Sequence, residues 1–238
     1  MSQTLPQQLS LQVHLEDDAT FANFYAPANH ANAQIVTALQ QSLSPMGERF
    51  LFLSAPVGSG VTHLLQATCN HAELQGRSVQ YLPLDEFANL PPEPLLERLE
   101  AVQLVCLDNV QAVMGLPQWE RALFRFYNMM RDLGHVLVMG ADRGPRELPV
   151  QLPDLQSRLC WGLAFQVRPL DDEGKRLALQ ARARARGLEL SEEVAQFIMH
   201  RAPRNMQELF SVLQRLDQVS LAEQRRLTIP FIKQTLGY

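Results

Sequence analysis

Lysine is almost missing from this chain of 238 residues. Of its 21 basic residues all but Lys175 and Lys233 are arginine, and residues 1–170 hold no lysine at all. Any chemistry that needs an ammonium group in that stretch is thereby excluded. Cysteine is scarce as well. Three cysteines (Cys69, Cys106 and Cys160) with no close pair exclude a disulfide framework and leave too few thiols for a Cys-based zinc site. Cys69 and Cys106 lie in apolar runs and read as buried, reduced thiols. No run reaches about 18 apolar residues, so no membrane-spanning helix is expected, and the N-terminus lacks the basic, apolar, small-residue order of a signal peptide. An excess of positive charge is missing too: 21 − 25 gives −4, which argues against nucleic acid backbone as the main ligand. Glycine (12) and proline (15) are too few and scattered for a low-complexity chain. The expectation is a soluble, cytoplasmic protein without a membrane partner.

What is present is an apolar, weakly charged composition, 46% hydrophobic and 19% charged, enough for one large domain or a domain with a small appendage. From residue 50 short apolar runs alternate with longer helical stretches. Strands are predicted at Phe50–Ser54, Val79–Pro83, Leu104–Asp108, Val136–Gly140 and Leu163–Val167. Helices are predicted at roughly 61–75, 93–99, 117–132 and 153–160, with Gly76 stopping the first and Pro117 opening the third. Continuous apolar strands between helices imply a parallel sheet covered on both faces. After Pro169 the strands cease. A helix over 171–186 carries Asp171, Asp172 and Glu173 at its positive end and Arg182, Arg184 and Arg186 toward the other. Ser191 caps a second helix, Pro203 opens a third and Ile229-Pro230 heads a fourth. The fold class is therefore α/β: an N-terminal extended segment to residue 15, an α/β domain over 16–168, and a small helical domain over 169–238.

Strand Phe50–Ser54 runs into Ala55-Pro56-Val57-Gly58-Ser59-Gly60-Val61-Thr62-His63. A strand, a Gly-rich turn and a helix opening near Thr62 form the context of a phosphate loop, whose backbone N–H groups bind anions without side-chain help. Against the pattern G-x-x-x-x-G-K-[ST], Gly60 and Thr62 match, Ala55 replaces the first glycine and Val61 replaces the lysine. The neighbouring strand end, that of Leu104–Asp108, supplies Asp108, which with Thr62 suits an Mg²⁺ ion. Asn109 follows, where many ATPases place the acid that activates water, and an amide cannot accept that proton. The reading is a site that holds a nucleotide, better as a diphosphate than a triphosphate, and hydrolyses it slowly or not at all.

These residues resemble the DnaA family of AAA+ replication initiators. Residues 56–65 are similar to its Walker A region, and Leu107-Asp108-Asn109-Val110 to its Walker B. Thr20-Phe21-Ala22-Asn23-Phe24 resembles its N-terminal nucleotide-edge box, which assigns Phe24 to the nucleotide. The stretch 140–148 resembles sensor 1, with Asp142 at the sensor position. Residues 155–162 resemble the box that carries the arginine finger, which falls on Arg158, and Ile229–Lys233 the end of the lid. In the sensor 2 stretch the family's arginine falls at Gln207, and Arg204 is the substitute on the same helical face. The resemblance implies an AAA+ fold with a five-stranded parallel sheet and a lid, and an adenine nucleotide, ADP in preference, with Mg²⁺.

Two departures from the initiator refine that reading. The chain stops where DnaA would continue into its DNA-binding domain, so weak or no direct DNA binding is expected. It begins instead with Gln8-Leu9-Ser10-Leu11-Gln12-Val13, which looks like the peptide by which bacterial proteins dock on the DNA polymerase III sliding clamp (its beta subunit). In extended form Leu9, Leu11 and Val13 share one side, and Gln8 and Ser10 the other. An edge strand of the chain's own fold is the alternative. The layout implies a DnaA-related negative regulator that, tethered to the DNA-loaded clamp, presents Arg158 in trans to ATP-bound DnaA. An independent P-loop ATPase or phosphotransferase and a helicase-loader-like adaptor remain alternatives, and self-association stays open. Leu155, Leu159 and Trp161 are expected to face the core. The nucleotide-binding stretch is assigned as Pro56–His63; as a metal pair, His63 and His71 have no third ligand nearby and read as packing or surface residues instead.

Overall fold

Residues 19–202, 205–223 and 225–237 are described by the structure, a computed structural model. Five parallel strands build one sheet: β1 (Phe50–Ser54), β2 (Val79–Pro83), β3 (Leu104–Asp108), β4 (Val136–Ala141) and β5 (Leu163–Gln166). Their order is β2-β3-β4-β1-β5. Strands three and five differ from the sequence-based bounds in nothing or one residue, and β4 runs one residue longer, to Ala141. The register sets Ser54 beside Ala141 and Pro83 beside Asp108, so the strand ends that carry the candidate site lie along one edge of the sheet.

The continuous apolar runs follow from burial on two faces. Phe50 and Phe52 point to the face covered by Trp119, Phe126 and Tyr127 of helix α5 (Pro117–Asp132). Leu51 and Leu53 point to the opposite face, against Leu64, Leu65 and Cys69 of α2 (Val61–Leu74) and Ile35 and Leu39 of α1 (Ala31–Gln41). The period-2 alternation is intact, but both sides are apolar, which is why the strands read as solid hydrophobic runs. Edge strand β5 departs from the expected two-sided cover: Leu163 and its neighbours are largely exposed.

Between the strands lie short α3 (Leu84–Phe87) and α4 (Glu93–Leu96), the latter continued by a 3-10 turn at Glu97–Leu99. The single helix predicted over 93–99 is thus two pieces. Helix α6 (Pro153–Leu159) precedes β5 and buries Leu155 and Leu159. Trp161, expected in the core, is instead 55% exposed, because the chain turns outward after α6.

The C-terminal helices are α7 (Asp172–Ala185), α8 (Glu192–Arg201), α9 (Met206–Glu223) and α10 (Ile229–Leu236). Asp171 caps α7 through Gly174 N–H, Ser191 caps α8 through Val194 N–H, and Thr228 caps α10 through Phe231 N–H. Leu209, Leu213 and Leu216 of α9 are fully buried at helical spacing against Ile198, Phe231 and Ile232. Each such side chain contributes about 1.5–3 kcal/mol relative to exposure, so four short helices suffice for a separate core. Buried Asn32 fixes the entry to this unit. Its amide donates to Arg168 O (2.9 Å) and its carbonyl accepts from Arg168 N–H (2.9 Å). Among the described residues no helix is long and apolar enough to cross a membrane.

Candidate nucleotide site and arginine-bearing helix

Because β4 lies between β1 and β3, the loop after β1 and the acid ending β3 stand on either side of Gly140. A Cβ at Gly140 would lie 2.7 Å from Val61 Cγ1 and 3.0 Å from Asp108 Oδ1. Only a residue without a side chain lets the loop and the acid close over the sheet in this way.

The loop itself is Ala55–Gly60. Ser59 Oγ donates to Pro56 O (2.7 Å) and tightens the turn. Gly60 opens α2 in the left-handed region at φ 97°, and no side chain caps that end. The first-turn N–H groups of α2 therefore point out of the helix with no side-chain acceptor, which is the arrangement that receives an anion. Val57 is 91% exposed at the crest of the loop, and Val61 packs down toward β4. The ring of Phe24 closes the loop from above: a Cβ at Gly60 would sit 2.8 Å from Phe24 Cε2. His63 stacks on Phe24 (centroids 5.8 Å apart) and its Nε2 lies 2.9 Å from Thr20 O. His71 meets the edge of Phe21. Both histidines are packing groups for the segment Thr20–Phe24. Among the described residues no group of three or more His, Cys, Asp or Glu side chains is placed to hold a metal.

Asp108 is the centre of the hydrogen-bond network. It is 2% exposed. Its Oδ2 accepts from Thr62 Oγ1 (2.6 Å) and from the Tyr81 hydroxyl (2.8 Å), and its Oδ1 accepts from Asn109 N–H (2.8 Å). Burial, followed by the neighbouring Asp108 carboxylate, pushes the Tyr81 phenol far above the ordinary tyrosine range. Thr62 and Asp108 together supply the hydroxyl and carboxylate oxygens that a hard cation prefers. They fit Mg²⁺ in kind, although three donors already occupy the carboxylate's roughly four lone-pair positions.

Asn109 takes a left-handed conformation at φ 53° and donates through Nδ2 to Asp85 Oδ1 (2.9 Å). Gln111 Nε2 reaches Asn109 Oδ1 (3.3 Å), and Asp142 N–H reaches Gln111 Oε1 (3.3 Å). A polar chain thus links the end of β3 to Asp142 after β4. Sequence reasoning missed Tyr81, Asp85 and Gln111, whose roles depend on strand register rather than on any local pattern. Asp142 itself is held by both Nε and Nη2 of Arg143, at 2.8 and 2.9 Å. That pairing draws its carboxyl below the usual range.

The lid reaches the loop at Asn205, whose Cβ would be 3.7 Å from a Cβ placed on Gly58. Arg204 lies outside the described residues, as do Gln8, Leu9, Ser10, Leu11 and Val13 and the side chain of Gln207.

Arg158 sits in the last turn of α6. Among the described residues it makes no ion pair; its guanidinium lies 5.5 Å over the exposed ring of Trp161. The base of α6 is anchored by Glu120, which is 1% exposed. Its carboxylate accepts from the N–H groups of Gly115 (2.7 Å), Gln151 (3.0 Å) and Leu152 (2.7 Å). Leu152 is the residue that caps α6, so the helix bearing Arg158 is fixed at its root to α5.

Two family profiles match the chain. The profile "Bacterial DnaA ATPase domain" matches residues 15–166 and "Hda, lid domain" matches residues 172–236. Among solved structures, domain III of the Thermotoga maritima replication initiation protein DnaA is 25% identical at a TM-score of 0.78, covering 94% of this chain and 98% of that one. AMPPCP-bound DnaA from Aquifex aeolicus is 25% identical at a TM-score of 0.71, covering 88% and 68%. The Holliday junction branch migration motor RuvB of Thermotoga maritima, at 13% identity and a TM-score of 0.66 over 92% and 71%, shares the fold alone.

Proposed function

From the premise that the chain belongs to the bacterial DnaA ATPase-domain family, as an AAA+ protein with an Hda-type lid, we propose that it regulates DnaA by completing a reaction centre on it. In this reading it holds an adenine nucleotide, ADP in preference, on the loop Pro56–Thr62 under Phe24, with Arg204 reaching from the lid. Two related DnaA structures carry AMPPCP, and the uncapped α2 terminus suits polyphosphate. Bound nucleotide supplies charge that fixes the lid against the loop at Asn205. Thr62 and Asp108 would hold Mg²⁺, and Asp142 would sense the nucleotide.

The chain's own hydrolysis is weak or absent. Asn109 has no carboxylate to take the proton of an attacking water, and its amide is engaged by Asp85. Val61 gives no cation where the loop lysine would stand. An independent ATPase or phosphotransferase is disfavoured on these grounds.

The observation that carries the reading is Arg158, which has no carboxylate partner among the described residues and rests on an exposed aromatic ring. A guanidinium presented in trans to a γ-phosphate neutralises charge that develops in phosphoryl transfer. Tethered to a DNA-loaded sliding clamp through Gln8–Val13, the chain would reach ATP-bound DnaA, drive its ATP to ADP and so restrain re-initiation of chromosomal replication.

Reconstitution with DnaA–ATP, clamp and DNA tests this. The chain should accelerate phosphate release. Leu9→Ala with Leu11→Ala should abolish clamp pull-down and the clamp-dependent part of the acceleration. Acceleration that survives Arg158→Ala would leave an adaptor role in place of the finger.

A further inference from the structure

At the sheet edge opposite the nucleotide loop, the residues entering the strands share a chemistry. Arg49 directly precedes β1, Gln103 precedes β3, His135 precedes β4, and Arg77 stands two residues before β2. With strand order β2-β3-β4-β1, these four side chains form a row along that edge. They line a cavity of about 380 Å³, with Leu43 and Leu133 as apolar walls. That volume falls in the range of small-ligand sites, about 300–1,000 Å³.

No residue that lines the cavity is acidic, in a chain whose net charge is −4. The flanking carboxylates are engaged elsewhere. Glu48 accepts from the backbone N–H groups of Arg49 and Phe50, and Asp132 pairs with Arg131. One guanidinium is held in place, since Arg49 Nη1 donates to Gly134 O at 2.6 Å. Arg77 forms no ion pair among the described residues. His135 Nδ1 is buried without a hydrogen-bond partner among them.

We propose that this cavity is a second anion site, one that binds a small phosphorylated molecule by its phosphate. Two guanidiniums and an imidazole suit a doubly charged oxyanion, and an Arg fork matches its geometry bidentately. Gln103 adds a neutral donor, and the Leu43 and Leu133 walls leave room for a small organic remainder. The site is independent of the nucleotide loop and of any action on DnaA.

The test is titration of the full chain with inorganic phosphate, followed by proton NMR of the histidine ring signals and by thermal denaturation. Succinate serves as the carboxylate arm and chloride at equal ionic strength as the control. Phosphate should shift the His135 ring signals saturably and raise the melting temperature, succinate should do so more weakly, and chloride should do neither. Arg77→Ala lies at an exposed position and should weaken phosphate at least about tenfold. Gly60→Val, which obstructs the nucleotide loop, should leave the His135 response unchanged. A His135 signal indifferent to phosphate overturns the proposal, as does a response that Arg77→Ala preserves or Gly60→Val removes. Succinate binding as tightly as phosphate would overturn the phosphate assignment.

Discussion

The guanidinium of Arg158 and that of Arg131 approach the same ring, Trp161, at 5.5 and 5.9 Å from its centroid. A cation over an exposed indole is held by about 0.5–1 kcal/mol. That is enough to keep Arg158 extended from α6 and little enough to release it to a phosphate. A buried ion pair would have held it far more firmly.

Arg158→Ala should therefore cost almost nothing in folding and, if the proposed finger role holds, nearly all stimulation of DnaA. We expect an unfolding midpoint close to wild type, and partner-stimulated hydrolysis lower by about 10³–10⁵. Trp161 gives a direct readout, because the other tryptophan, Trp119, is fully buried. Emission of the exposed ring should change in Arg158→Ala and in Arg131→Ala, but only the former should lose stimulation. Equal losses in both would assign the effect to Trp161 packing instead.

Glu120 makes the opposite prediction. Its buried carboxylate accepts from three backbone N–H groups of two loops. Hydrogen bonds to a charged group are worth about 1.5–3 kcal/mol each. Glu120→Ala should lower stability by about 3 kcal/mol or more in urea unfolding. Glu120→Gln, which turns an NH₂ toward those N–H groups, should recover only part. A loss under about 0.5 kcal/mol, the range of ordinary surface changes, would show that the loops hold themselves.

Most of this framework was legible in the sequence where one short segment decides the structure. The central strands β1, β3 and β4 read directly because each is apolar and buried on both faces, and the edge strands β2 and β5 read as shorter apolar runs. Asp171, Ser191, Pro117 and Pro230 marked helix starts because capping is local, while Pro203 lies outside the described residues. Helix α1 was not read: it buries only Asn32, Ile35 and Leu39, so its apolar stripe is thin, and its cap is His30, an unusual capping residue. The network around Asp108 was half legible. Thr62 and Asp108 belong to a recognisable pattern. Tyr81 enters because β2 pairs with β3 in a register that sets Pro83 beside Asp108, and nothing local encodes that. Trp161 was misplaced for the same kind of reason, since hydrophobicity says "inside" while the turn after α6 sends it out.

Val61 tests whether the missing lysine sets nucleotide preference. Val61→Lys puts an ammonium at the first residue of α2, beside the open N-terminus. Affinity for ATP relative to ADP should rise about tenfold, measured by calorimetry, as the extra phosphate gains a cation. Hydrolysis should stay slow, because Asn109 still offers no base. Restored turnover in the single variant would mean that Asn109 is not the limiting defect.

Tyr127 carries the last prediction, and its sign follows from burial. The ring is 1% exposed, packs on Phe50 at 4.5 Å, and its hydroxyl finds no partner among the described residues. Burial pushes the phenol up to about 12, against the opposing pull of Arg158. A phenol raised above its unfolded value of about 10 contributes stability that is complete below that pH and is lost as pH climbs through the folded value. Over that window the folded chain keeps a proton that the unfolded chain has released, so stability must fall as pH rises from about 10 to about 12. Tyr127→Phe removes both the orphaned hydroxyl and the titration. It should unfold at or above the wild-type midpoint at neutral pH, and lose less stability than wild type across the alkaline window. A variant markedly less stable at neutral pH would mean that the hydroxyl has a partner, such as a bridging water, and that its burial carries no penalty for Phe to relieve.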